Sequence, residues 1–135
     1  DTHVGALRDL GVQAALRHLA DRPMMVKASL KQGELARPES GLYILRLCDS
    51  IGLWKTVVLD DFFPIQITKH FHTLRLLGAR SSIRRELWSA LLQKALAKMS
   101  GGYCNLPRID TLQALQSIFR SRSVFVISQE TIGTL

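Results

Sequence analysis

A chain of 135 residues, 47% hydrophobic, fits one domain or part of one and can bury a real core. No apolar run approaches the roughly 20 residues that cross a bilayer, which excludes a transmembrane helix, and no signal-peptide pattern is present. Two cysteines, Cys48 and Cys104, do not make a disulfide framework and predict a reducing, intracellular compartment; 18 Lys and Arg against 11 Asp and Glu give a net charge of +7, which suits acidic partners as well as it suits a solvated basic surface.

In chain order, Gly5 to Ala20 reads as a helix, with Leu7, Leu10, Ala14 and an Ala15–Leu19 pair at helical spacing. Arg22-Pro23 stops it, because the residue before proline is driven out of the α region. Met24 to Leu30 continues as a short helix, and Lys31 to Ser40, with Gly33 and Pro38, reads as a loop. Gly41 to Cys48 and Trp54 to Leu59 are β-rich runs around a turn holding Asp49, Ser50 and Gly52, and they predict a hairpin. Cys48 in the first run reads as a small buried hydrophobe. Asp60 and Asp61 close the second strand before Pro64. As strand neighbours they would point to opposite faces, so a turn role fits them better than a catalytic pair. Ile65 to Ala79 is mixed and basic and takes no assignment. Ser82 to Met99 predicts a helix with Ser82 as N-cap and Arg85-Glu86 in its first turn. Its apolar face is Leu87, Trp88, Leu91, Leu92, Ala95, Leu96 and Met99, and Gly101-Gly102 ends it. Asp110 predicts the N-cap of a last helix through Phe119, with Leu112, Leu115 and Phe119 inward. Val124 to Ser128 is a short strand candidate. No repeat, low-complexity segment or linker divides the chain, so residues 1–135 form one domain, and the missing initiator Met predicts a segment of a longer protein.

Three blocks, in order, carry a family resemblance. Val4 to Leu10 reads Val-Gly-Ala-Leu-Arg-Asp-Leu, followed at the family's spacing by Leu-Ala-Asp-Arg-Pro at positions 19–23. Next come Gly41-Leu-Tyr and Trp54-Lys-Thr-Val-Val-Leu-Asp-Asp-Phe-Phe-Pro. The third is Glu86-Leu-Trp-Ser-Ala-Leu-Leu-Gln-Lys-Ala-Leu-Ala-Lys-Met-Ser-Gly-Gly-Tyr. The chain resembles the calpain-type cysteine peptidase core, a relative of the papain fold. That core has Gln-Gly-x-Leu-Gly-Asp-Cys-Trp, then a Trp with alternating Val and Asp-Asp-x-x-Pro, then Glu-x-Trp-x-x-Leu-Leu-Glu-Lys-Ala-Tyr-Ala-Lys-x-x-Gly-x-Tyr. The resemblance covers about Asp1 to Phe119. It implies an α+β fold, the mainly helical first lobe of the core with a small antiparallel sheet. The family's Gly-His-Ala and Asn-Pro-Trp blocks belong to a second lobe and have no counterpart here.

The resemblance also places a dismantled site. The family's nucleophilic Cys falls on Leu10, its oxyanion-hole Gln on Val4, the Gly before Asp-Cys on Arg8, and the Trp after it on Gly11. A Leu forms no thiolate and attacks no carbonyl. No peptidase activity is expected, and no catalytic residue is assigned. Thr2-His3 is a poor substitute, because nucleophile and base are defined by geometry and not by adjacency. Cys104 reads as an ordinary thiol. No cofactor is expected. The one ion the resemblance raises is calcium, for which the family's ligand positions fall on Asp1 and Glu86; two carboxylates do not complete the six to eight oxygens the ion takes. His70 and His72 lack a third ligand for zinc. Trp54 and Trp88 are the family's core tryptophans. The expected function is a non-catalytic, protein-binding or structural module in a larger assembly, in the cytoplasm or on the cytoskeleton. The alternative is part of a calcium-dependent calpain-type endopeptidase or its regulatory subunit. A third reading is a basic subunit touching RNA. The densest basic cluster, Arg75, Arg80, Arg84 and Arg85, lacks the interleaved aromatics of a single-strand-binding face, and no RNA-binding motif occurs. Acidic tubulin-like tails and anionic lipid remain the other acidic surfaces.

Overall fold

The computed structural model of the chain describes residues 2–3, 7–30, 38–67, 74–81 and 87–120. Among them the order is strand β1 (Thr2–His3), helices α1 (Leu10–Ala20) and α2 (Pro23–Leu30), a 3-10 turn over Pro38–Ser40, and strands β2 (Tyr43–Cys48) and β3 (Trp54–Leu59). Strands β4 (Ile65–Ile67), β5 (Leu74–Leu76) and β6 (Arg80–Ser81) follow. Helix α3 (Trp88–Met99), a 3-10 segment over Tyr103–Arg108 and helix α4 (Thr111–Phe119) come last among the described residues. The fold is α+β. Its strands make three separate antiparallel pairs, β1–β6, β2–β3 and β4–β5, where one small sheet was expected.

The β2–β3 hairpin is the sheet that matters for the core. Its register runs from Tyr43↔Leu59 to Cys48↔Trp54. Asp49 sets the turn: its Oδ1 accepts from the N–H groups of Ile51 (3.1 Å) and Leu53 (2.9 Å). Leu45, Leu47, Val57 and Leu59 are buried from the hairpin and share one core with Leu16 and Leu19 of α1, Leu92 and Leu96 of α3, and Leu115 and Ile118 of α4. Helix α1 packs on α4, α4 on β2, and α3 on β3. Cys48 is buried, as expected, and both cysteines are free.

Two helix starts differ from the sequence expectation. Helix α1 begins at Leu10 and not at Gly5, because Arg8 takes a left-handed backbone (φ 56°) that cannot continue a helix. Its phase shifts with it. Val12, Ala15, Leu16 and Leu19 are buried, while Leu10 and Ala14 face solvent. Helix α3 begins at Trp88 with Leu87 at the N-cap, which displaces Ser82 from that role; Ser82 to Glu86 lie outside the described residues. It is buried on nearly every side, Ser89 and Gln93 included. Its end follows the expectation. Gly101 and Gly102 have positive φ, and the N–H of Gly102 reaches the carbonyl of Ala97 at 2.8 Å in a Schellman-type closure. Helix α4 carries a full capping box: Gln113 N donates to Asp110 Oδ1 (2.7 Å) and Asp110 N to Gln113 Oε1 (3.0 Å). Its buried residues are Ala114, Leu115 and Ile118, with Leu112 and Phe119 only half-buried. The unassigned stretch after Pro64 supplies the β4–β5 pair. Trp88 is partly buried against the core, whereas Trp54 is half-buried beside Arg46 and takes no part in the core, a correction to its expected role.

Candidate functional site

Helix α1 opens on Leu10, whose side chain is 74% exposed. The residue before it is the reverse: Asp9 is 1% exposed. It stands at the N-cap position, yet its carboxyl caps no N–H of the helix. It turns inward instead. Gln93 Nε2 of α3 donates to Asp9 Oδ2 at 2.5 Å, and Gln13 Nε2 approaches Oδ1 at 3.4 Å. The same Gln93 side chain accepts from the N–H of Ala79 at 2.7 Å, next to β6. One amide thus ties the start of α1 to α3 and to the approach to β6. Sequence reasoning missed this network. Its only signal was a pair of glutamines, Gln13 and Gln93, inside otherwise apolar helices, where a buried amide must find partners. Gln13 Oε1 and Ser89 Oγ are buried without a hydrogen-bond partner among the described residues.

Gly11 is fixed by close approach. A Cβ there would stand 2.5 Å from the carbonyl oxygen of Ile109 and 2.9 Å from the Cα of Asp110, both backbone atoms at the start of α4. Thr111 Oγ1 also donates to the carbonyl of Gly11 at 3.0 Å. The bulky Trp of the family pattern has no room in this packing. Arg8 is exposed and keeps a positive φ, the backbone region that a Gly occupies freely.

A second polar cluster lies at the end of β3. Asp60 Oδ1 accepts from the N–H of Phe62 (2.9 Å) and pairs with Lys94 Nζ, which also reaches the carbonyls of Asp60 and Phe62. Lys98, one turn further along α3, donates to the carbonyl of Val58 at 2.6 Å. The Lys94 hydrogen bond, then that of the Phe62 N–H, hold the Asp60 carboxyl below the usual carboxylate range. Burial, with the Asp60 charge adding to it, pushes the Tyr103 hydroxyl up to about 12. Asp60 therefore has the turn role expected of it. A cavity of about 510 Å³ lies between the β2–β3 turn and α4, with Cys48, Gln116 and Ser117 in its wall. No residue of α1 lines it, so it is separate from Leu10.

Of the other sequence-stated positions, Asp1, Val4, Glu86, His70, His72, Arg84, Arg85 and the strand candidate at 124–128 lie outside the described residues. Thr2 and His3 form β1, with His3 in register with Arg80. Arg75 falls in β5. Cys104 is exposed in the 3-10 segment after α3. Among the described residues no group of His, Cys, Asp and Glu is placed to hold a metal, and no helix is long and apolar enough to cross a membrane.

A helix opening on an exposed residue, backed by a buried carboxyl and packed on a second helix that itself lies on an antiparallel hairpin, fits the α+β, papain-like class. The family model described as calpain family cysteine protease matches residues 1–130, and the chain belongs to that family. It is 45% identical over 67 residues to Calpain-5 of Caenorhabditis elegans, a match covering 50% of this chain and 9% of the relative. It is 33% identical over 100 residues to the Calpain-1 catalytic subunit of Homo sapiens, covering 73% of this chain and 13% of the relative. With Calpain of Schistosoma mansoni the identity is 30% over 120 residues, 87% of this chain and 15% of the relative. The chain therefore spans well under a fifth of the length of these relatives.

Proposed function

We propose that this lobe is a non-catalytic member of the calpain family, a protein-binding or structural module within a larger intracellular assembly. The observation that carries the reading is the side chain at the head of α1. It is an exposed Leu, and the chain's two cysteines lie elsewhere, Cys48 in β2 and Cys104 after α3. Covalent acyl transfer needs a nucleophile that a base can activate. Losing it removes several orders of magnitude of rate. The buried Asp9–Gln93 link to α3 and the close packing of Gly11 on the start of α4 hold that head. A fold held this carefully around an inert residue is suited to binding. The test is a fluorogenic peptidase assay on the full-length protein with calcium. The expected result is no turnover; turnover abolished by a thiol alkylator refutes the proposal.

A second reading draws on a relative that is named a catalytic subunit: the lobe as part of a calcium-dependent endopeptidase or its regulatory subunit. Calcium would then be held through Asp1 and Glu86, whose carboxylates are hard oxygen ligands. Calorimetric titration separates the two readings. A calcium heat that Glu86→Gln removes favours the second; a trace that the substitution leaves unchanged favours the first.

A further inference from the structure

We propose that the outward face of the β2–β3 hairpin is a docking surface for an extended, acidic polypeptide segment, with Arg46 taking its carboxylate and Ile44 and Val58 taking an aliphatic side chain two residues away. The proposal names a partner chemistry for the protein-binding module, and so rests on that reading, but it does not depend on the loss of catalysis.

The hairpin register puts Ile44 opposite Val58 and Arg46 opposite Thr56 on one face, with Cys48 opposite Trp54 at its turn end, where Cys48 is buried. The other face carries Leu45, Leu47, Val57 and Leu59 into the core. A sheet with one face on the core ordinarily shows polar residues to solvent. Here Val58 is 45% exposed, Ile44 and Trp54 are half-buried, and Arg46 and Thr56 are exposed. An apolar pair and an indole thus sit on the wet side of the hairpin.

The charge on this face is unopposed. The Arg46 guanidinium stands 5.9 Å from the Trp54 ring centroid. A stacked guanidinium is held in place while its N–H edge stays free for a planar anion. Arg46 meets no carboxylate among the described residues. The acids at the two ends of the hairpin are engaged elsewhere: Asp49 by the N–H groups of its own turn, Asp60 by Lys94 and the N–H of Phe62. Lys98 Nζ, on the carbonyl of Val58, adds a second cation beside the apolar pair.

The spacing selects the occupant. Arg46 and Ile44 are two residues apart on one strand, about 6.6–6.8 Å, which is also the distance between alternate side chains of an extended peptide. A segment of the pattern acidic–any–aliphatic therefore places both groups together. RNA fits less well, because a single aromatic on this face, Trp54, offers no platform for successive bases.

The test is fluorescence anisotropy with the full chain and a labelled probe, the peptide Ser-Glu-Ser-Ile-Ser-Glu-Ser-Ile. Saturable binding is expected. It weakens about tenfold or more with Arg46→Glu, less with Arg46→Lys, and with Val58→Ser, all at exposed positions where circular dichroism should be unchanged. Raising the salt from about 50 mM to about 300 mM weakens it further, by screening. The proposal is overturned by no saturation up to about 1 mM peptide, by equal binding of the probe with Lys in place of Glu, or by binding that Arg46→Glu leaves unchanged. Preferential binding of polyuridylate through the same residues would overturn it in favour of RNA. The peptidase assay above stands or falls independently of these outcomes.

Discussion

Replacing Gln93 with Leu should cost this lobe more than any surface change. The side chain is 2% exposed and makes two bonds that no neighbour can replace: Nε2 to Asp9 Oδ2 at 2.5 Å, and Oε1 from the N–H of Ala79 at 2.7 Å. Leu has similar volume, so little cavity is made and packing changes little. The loss is polar. A buried group left without its hydrogen bond costs about 1–3 kcal/mol, more when it is charged. Two such groups, one a carboxyl that is 1% exposed, put the total at about 3–5 kcal/mol. Gln13 cannot take over, because its amide already faces Asp9 Oδ1 at 3.4 Å. Urea unfolding followed by circular dichroism reads the effect. With a slope of about 2 kcal/mol per molar, the midpoint falls by about 2 M with the slope unchanged. A loss below about 1 kcal/mol would refute the reasoning, since water would then be reaching the carboxyl and the Ala79 N–H in the folded chain.

Four further outcomes are expected. Gly11→Ala should destabilise by about 1–3 kcal/mol, because the new methyl meets the backbone of Ile109 and Asp110, which cannot move as a side chain can; thermal unfolding measures it. Native protein should react fast with a thiol reagent at the exposed Cys104 alone, with the buried Cys48 reacting only on unfolding. Leu10→Cys should add a second fast thiol, and a faster one, since an exposed thiol at a helix N-terminus is shifted toward thiolate; a slow Cys at that position would contradict the exposed start of α1. The Asp60 and Tyr103 shifts each make stability depend on pH. The lowered carboxyl supports the fold above the ordinary carboxylate pKa, and that support is lost as acid protonates it; Lys94→Met should flatten the loss. The raised hydroxyl supports the fold below about 10, and its support is lost as the pH climbs to about 12; Tyr103→Phe should remove the tyrosinate absorbance change at the top of that range.

The parts of the fold that the sequence made legible are those set by local rules. The hairpin followed from β-rich runs around Asp49, the end of α3 from Gly101-Gly102, and α4 from Asp110 and its capping partner. The start of α1 was not legible, because no local rule places an Arg in the left-handed region; tertiary packing around Asp9 and Gly11 holds it there. The error in the phase of α1 has the same origin. Leu10 and Ala14 share a helical stripe, but the stripe faces solvent once Asp9 is turned inward. Gln93 was hidden for a different reason. Its partners are 84 and 14 residues away in the chain, and hydrogen bonds of that range leave no periodic trace.

Positions 8 to 11 show how the head of α1 is held. Arg8 keeps a backbone conformation that costs about 1–2 kcal/mol for a residue with a Cβ. Asp9 keeps a buried carboxyl that is useful only if Gln93 is there to meet it. Gly11 keeps a contact with α4 too close for any side chain. Between these three constrained residues Leu10 is the apolar side chain that projects into solvent, next to the exposed Arg8. An apolar side chain held out to water by strained and buried neighbours gains nothing for stability where it stands. Its burial against a partner would be favourable, by about 1.5–3 kcal/mol if complete. The arrangement thus separates two constraints within four residues: the backbone is fixed by buried and close-packed neighbours, and the apolar side chain of Leu10 is left in water.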